Sequence, residues 1–163
     1  SDEYTIFYLK FIENTKAFGE GAWLNQSQSP AYRNWCGFAF ENICLKHVAQ
    51  IKKGLGIAGV YTEQSIWRSE GKGADPGAQI DLLLDRADNC INLIEIKFSN
   101  TEFIIDKGYA AQLDAKKQVF AAKTGTRKTL FLTMMTSFGV KKNDYFYNTV
   151  QRDLTMEVLF DAL

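Results

Sequence analysis

AQIDLLLDRADNCINLIEIKF, residues 78–98, is the stretch whose reading decides the fold. Two apolar runs flank Arg86-Ala87-Asp88-Asn89-Cys90, where Asp and Asn carry turn chemistry, so the whole reads as a β-hairpin. A three-residue loop, 87–89, sets Arg86 opposite Cys90, Asp85 opposite Ile91 and Leu83 opposite Leu93. The same register sets Asp81 opposite Glu95 and Gln79 opposite Lys97. Alternation gives one face Gln79, Asp81, Leu83, Asp85, Ile91, Leu93, Glu95 and Lys97, and the other Ile80, Leu82, Leu84, Ile94, Ile96 and Phe98. Both faces are mainly apolar, which predicts a sheet covered on both sides.

On a half-buried sheet, Asp and Glu are ordinarily the solvated face. On a covered one they must be paired, metal-bound or at the mouth of a cleft. Two carboxylates directly across a ladder lie about 5 Å apart at Cβ and destabilise it unless a cation offsets them. A divalent cation between Asp81 and Glu95, with Lys97 one position further out, resolves the repulsion.

These residues resemble the PD-(D/E)XK nuclease superfamily, whose signature is an acid on one strand, then Asp or Glu, any residue, and Lys on the next. Glu-x-Lys alone is a weak pattern. The wider stretch WRSEGKGADPGAQIDLLLDRADNCINLIEIKFS (67–99) is more specific. Together with GFAFENICLKH (37–47) and TLFLTMMTSFGV (129–140), it resembles the C-terminal nuclease-like domain of a family of prokaryotic AAA-type ATPases. The resemblance implies a restriction-endonuclease-like α/β fold with an αβββαβ core and a Mg²⁺ (or Mn²⁺) site. It also implies that the Ile96 backbone carbonyl joins Asp81 and Glu95 as a metal ligand, and that Glu41 binds or orients a second metal. A polar residue on the second long helix would touch phosphate or the lysine, and both Gln112 and Lys116 match that place. Implied partners are DNA, an attached ATPase domain and a second copy of the chain.

Composition sets the frame. With 163 residues, 46% of them hydrophobic, the chain reads as a single domain, 1–163, with a leading helix within 1–20 and an α/β core over 29–163. A start at Ser1 rather than Met fits a domain excised from a longer ATPase chain. No apolar run reaches membrane-spanning length, so no membrane partner is expected. Cys36, Cys44 and Cys90 lack CxxC spacing and point to buried thiols in a reducing cytoplasm. His47 is the sole histidine, which argues against a histidine-led triad or a multi-histidine metal site. Net charge is zero, yet residues 97–142 hold nine Lys and Arg against Glu102, Asp106 and Asp114. Such a local basic region suits a phosphate backbone lying beside an acidic site.

Further elements follow from periodicity and caps. Residues 4–17 have helical spacing, ended by Gly19 and Gly21. Ser29-Pro30 starts a long helix expected to run to about Gln50 and to stop at Gly54 and Gly56. Strands are expected over 57–67, 79–86 and 91–98, with a polar loop at 69–78 between the first two. Asp106 caps a second long helix that carries Tyr109, Leu113 and Phe120 on one face and ends at Gly125. A buried strand over 129–136, an aromatic strand near 145–150 and a short helix capped by Thr155 complete the chain. The fold expected is α/β, a central mixed sheet of four to five strands with helices on both faces.

At the expected site Asp81 and Glu95 supply hard oxygen ligands. Lys97 orients the attacking water or stabilises the phosphate, and Gln79 steadies its ammonium group across the hairpin. Asp85 and Asp88, near or in the turn, read as solvent-exposed, and Trp67 as a core residue. The leading functional expectation is a metal-dependent deoxyribonuclease. Its rival is a catalytically silent DNA- or partner-binding module that regulates the attached ATPase. No Walker A motif is present, so these residues should not hydrolyse ATP.

Overall fold

The computed structural model describes residues 2–13, 21–71 and 77–162. Residues 14–17 of the expected leading helix, its Gly19 stop and residues 72–76 of the 69–78 loop lie outside them. Asp2 starts α1 (Glu3–Phe7) by accepting the Thr5 N–H, and a π-helical turn (Tyr8–Ile12) continues it. After α2 (Ala22–Ser27), the Ser29 hydroxyl caps α3 (Pro30–Lys46) by accepting the Tyr32 N–H, with Pro30 in the first turn as expected.

The long helix does not run unbroken to Gln50. At His47 the backbone leaves helical values (φ −115°, ψ 35°), and the ring Nδ1 meets the Ile43 carbonyl that also accepts the His47 N–H. A separate α4 (Val48–Gly54) follows. Gly56, at φ 74°, lets the Ile57 N–H return to the Lys52 carbonyl, which ends α4. Residues 57–60 therefore form a turn closed by the Val60 N–H on the Ile57 carbonyl, and β1 (Thr62–Ser69) begins later than its sequence pattern predicts.

β2 (Ala78–Arg86) and β3 (Cys90–Lys97) form the expected hairpin, with Asn89 at φ 63° in the turn. Their ladder pairs Asp85 with Ile91, Leu84 with Asn92, Leu83 with Leu93 and Leu82 with Ile94, the predicted register for these four pairs, and it stops short of the expected pairs Asp81 with Glu95 and Gln79 with Lys97. Asp106 caps α5 (Lys107–Thr124) by accepting the Tyr109 N–H at 2.7 Å, and Gly125 at φ 62° closes it. β4 (Thr129–Thr136) follows. The expected aromatic strand near 145–150 is instead α6 (Asp144–Thr149). The Asn143 side chain accepts the Phe146 N–H as a helix cap, and Phe146 and Thr149, three residues apart, are buried together. The last strand is β5 (Arg152–Thr155), followed by a 3₁₀ turn (Met156–Phe160).

The sheet order is β1-β2-β3-β4-β5, antiparallel from β1 to β3 and parallel from β3 to β5. Helices cover both faces. Leu83, Ile91, Leu93 and Met134 pack with Leu113 and Phe120 of α5 and Phe146 of α6. Leu82, Leu84, Ile94 and Ile96 pack with Phe40 and Cys44 of α3 and Ile51 of α4. The result is a mixed five-stranded α/β fold with two apolar layers, as the two-faced hairpin predicts. Among the described residues no helix is long and apolar enough to cross a membrane.

Candidate active site

Pairing with β1 shapes the open end of the hairpin. Ser65 faces Leu83 and Trp67 faces Ile80, so one residue of β1, Ile66, stands against two of β2, Asp81 and Leu82. This β-bulge shifts the alternation of β2 by one step. Ile80 accordingly packs in the layer of Leu83 and Leu93, not with Leu82 as simple alternation predicts. The shift also re-aims Asp81: its Oδ2 accepts the Ile96 N–H at 2.9 Å, just past the last pair of the β2–β3 ladder.

Asp81 is 8% exposed and Glu95 only 4%. Glu95 lies under α5, whose Tyr109 and Lys116, seven residues or two turns apart, share one face. The Lys116 Nζ donates to Oε1 at 2.8 Å and to Oε2 at 2.7 Å, and the Tyr109 hydroxyl to Oε1 at 3.3 Å. Lys97, two residues along β3 and so on the same side of the strand, brings its Nζ to 3.0 Å from Oε1. Glu41, half-buried on α3, reaches the cluster from the other layer and feels the charges of Asp81, Lys97 and Glu95. Three carboxylates thus face two ammonium groups.

The imbalance is visible in proton affinity. Burial, then the charge of Glu95, raises the Asp81 pKa above the usual carboxylate range, against the Ile96 N–H, Lys97 and Lys116. Burial, then Asp81, raises that of Glu41, with Lys97 opposing. Burial and the Glu95 carboxylate push the Tyr109 phenol up, so Tyr109 stays a neutral donor. Cys44, fully buried near Glu41, is pushed up to about 12 and is no nucleophile.

The fold therefore brings together Asp81, Glu95, Lys97 and Lys116, with Glu41 beside them. Of the two candidates on α5, Lys116 reaches the site and Gln112 is exposed. Gln79 does not meet Lys97. It pairs with Arg68 on β1, beyond the bulge that shifts its side chain's alternation, and it makes no hydrogen bond to Lys97. Ile96 meets Asp81 through its N–H. Among the described residues no three side chains of metal-ligand type close on one point, so Glu41 stands near the Asp81–Glu95 pair rather than forming a third ligand with it.

Two polar groups escaped the sequence reading. Tyr109 was legible only as part of an apolar stripe, although choosing Tyr over Phe on a buried face signals a partner for the hydroxyl. Thr136, paired in register with Lys97, is fully buried, and its hydroxyl has no hydrogen-bond partner among the described residues. Trp67 packs edge-on against Phe120 at 5.1 Å, as a core residue.

No protein-family model matches this chain, and no curated protein matches it. Among solved structures it is similar to a protein of unknown function, AF1548, at 20% identity and a TM-score of 0.48, over 72% of this chain. The match spans 64% of that protein's length.

Proposed function

We propose that this domain hydrolyses DNA phosphodiester bonds with a divalent metal, in the manner of PD-(D/E)XK nucleases. The observation that supports it most is the buried Asp81–Glu95 pair with Lys97 beside it, an excess of acid over base under two covered faces. Hard carboxylate oxygens fit Mg²⁺ or Mn²⁺, which binds through one or two carboxylates and keeps several waters. Asp81 and Glu95 would hold it, with the Ile96 carbonyl and Glu41 as the further ligands the resemblance implies. When bound, such a metal neutralises nonbridging phosphate oxygens and lowers the pKa of water.

The chain's own residues supply the rest. Lys97 orients the attacking water or meets the charge that grows on the phosphate. Lys116 offsets Glu95 in the metal-free state and competes with a bound cation for it. Its four-carbon stem lets the ammonium turn toward a phosphate. Lys117 neighbours Lys116 on α5, whereas Lys128 lies at the turn end of the hairpin, paired with Asp85. In this reading the domain works in the cytoplasm, attached to an AAA-type ATPase, with a second copy of the chain as a further partner.

One observation favours a second reading, a silent DNA- or partner-binding module that regulates the attached ATPase. Lys116 engages both Glu95 oxygens, as a lysine that has replaced the metal for good would. The test incubates the domain with plasmid, a branched duplex and single-stranded DNA, with Mn²⁺ present or chelated. Metal-dependent cutting that Asp81→Asn abolishes supports the nuclease. Binding without cutting on every substrate supports the silent module.

A further inference from the structure

The turn end of the hairpin carries a second cluster, remote from Asp81 and Glu95. A cavity of about 340 Å³ opens between the end of α4 and the starts of β3, β4 and β5, lined among others by Lys53, Arg86, Asn92, Phe131 and Arg152. Asn92 and Glu95 are three residues apart on β3, roughly 10 Å along the strand and on opposite faces. This cavity is therefore distinct from the candidate active site.

Its charge is one-sided. No carboxylate occurs among the described residues that line it. Arg86 is held in place at the back. Its Nε and Nη2 donate to Asp88 outside the cavity, its Nη1 donates to Asn92 at 3.1 Å, and its guanidinium lies over the Phe131 ring, 5.9 Å from the centroid. Asn92, 4% exposed, is fixed in turn by donating to the Thr133 hydroxyl at 3.3 Å. Asp88 neutralises Arg86, while among the described residues Lys53 has the neutral Ala162 carbonyl as its partner and Arg152 has no ion-pair partner. Among the described residues, two positive charges thus stand without an acidic partner beside a pre-set guanidinium fork.

We propose that this cavity binds a phosphomonoester of mononucleotide size. A phosphomonoester carries about −1.5 to −2 charges at neutral pH, which matches the two open cations, whereas a carboxylate or a phosphodiester offers only one. The remaining Arg86 N–H groups supply directional donors suited to phosphate oxygens. The volume lies in the range of small-molecule pockets, well beyond one phosphate group, and Phe131 and Leu55 give the organic body an apolar wall. The phosphate is that of a free nucleotide or of a nucleic-acid strand end, which share this chemistry. The proposal does not rest on the nuclease reading.

Isothermal titration of the full chain tests it, with adenosine 5′-monophosphate, inorganic phosphate and adenosine as probes at fixed ionic strength. Adenosine 5′-monophosphate should saturate at or below about 1 mM and inorganic phosphate more weakly, with adenosine silent. Arg152→Gln and Lys53→Gln should each weaken binding about tenfold, and Asp81→Asn should leave it unchanged. Arg152 is exposed on β5, so its variant should keep the wild-type melting temperature even if the Lys53 variant loses its tie to Ala162. A short oligonucleotide separates the sources: competition by its 5′-phosphorylated but not its 5′-hydroxyl form assigns a strand end, and competition by neither assigns a free nucleotide. Equal binding of adenosine and its monophosphate, absence of saturation, or unchanged affinity in folded Arg152→Gln would each overturn the proposal.

Discussion

The two ends of one hairpin handle charge in opposite ways. At the turn, Arg86 pairs with Asp88 and Lys128 with Asp85, all four at least partly open to water. At the open end, Asp81, Glu95 and Glu41 crowd against Lys97 and Lys116, and the two strand acids are buried. Water screens the first set, so each pair matters little. Burial amplifies the second set, so its imbalance raises proton affinities and creates a demand for positive charge. The same two strands thus carry paired, solvated charges at the turn and an acid-rich pocket at the open end, and the pocket has the electrostatics of acid chemistry.

The strongest way to break this contrast is Lys97→Ala. If Lys97 acts on water or on the phosphate, the variant should keep metal binding and most of its DNA affinity. It should lose cleavage by about 10² or more, the scale of a positioned charge-stabilising or proton-transfer group. Initial rates on plasmid with Mn²⁺ measure it. Undiminished cutting would leave the pocket as an electrostatic oddity with no catalytic lysine.

Much of this contrast was legible in residues 78–98. Two apolar faces leave a strand no freedom to slip, because one step would exchange its two sides, and the turn residues set the loop length. Hence the register from Asp85↔Ile91 to Leu82↔Ile94 followed from the sequence. The bulge at Asp81 and Leu82 did not, since it arises from pairing with β1, and nothing local marks it. That one step took Gln79 from the site and turned Asp81 onto the Ile96 N–H. Lys116 over Gln112 and the role of Tyr109 depend on how α5 is rotated against the sheet, which a helical stripe sets only to within a residue or so. At 145–150 aromatic content implied a strand, but a single Asn143 cap and the spacing of Phe146 and Thr149 made a helix.

Stability tests the contrast without metal. Considered as two repelling carboxylates, the pair predicts that Glu95→Gln is neutral or stabilising in the apo state. The network found around Glu95 reverses that expectation. The substitution removes the negative charge and one of the two oxygens that Lys97, Lys116 and the Tyr109 hydroxyl share, and sets an amide NH2 against the lysines. Both lysines are about a third exposed and can recover water, so the loss should be about 1–2 kcal/mol, below the usual cost of breaking a buried pair. Urea unfolding with a chelator present reads it. An unchanged midpoint would mean that the lysines contribute nothing to holding the fold.

Asp81→Asn should act in the opposite direction and by less. The folded chain holds the Asp81 proton more tightly than the unfolded chain does, so it binds more protons from about the ordinary value of 3.8 upward. Stability therefore falls as pH rises through that window, and at neutral pH the ionised carboxylate is a burden. Asparagine keeps an oxygen for the Ile96 N–H and carries no charge. The metal-free variant should be more stable than wild type at pH 7, with the difference shrinking as pH falls toward 3.8. Asp81 is one cause of the upward shift of Glu41, so the variant relieves that acid too, and the pH-dependent gain belongs to both. A gain that persists undiminished at low pH would assign the effect to packing instead of charge.

The smallest effect should come from the other end. Lys128 pairs with Asp85 and also donates to the Arg86 carbonyl at 3.0 Å, two contacts that on paper equal those Lys116 makes with Glu95. Both partners of the ion pair are about a third exposed, with side-chain exposures of 32% and 38%. Exposed pairs contribute about 0–1 kcal/mol, because fixing two long side chains offsets much of the Coulomb gain and salt screens the rest. Lys128→Ala should therefore shift the urea midpoint by less than half the Glu95→Gln loss, and the shift should vanish in about 1 M salt. The pocket acids, shielded by the sheet and α5, should be far less sensitive to salt. If Lys128→Ala cost as much as Glu95→Gln and resisted salt, the turn end would be as buried electrostatically as the pocket, and burial would not be what separates the two.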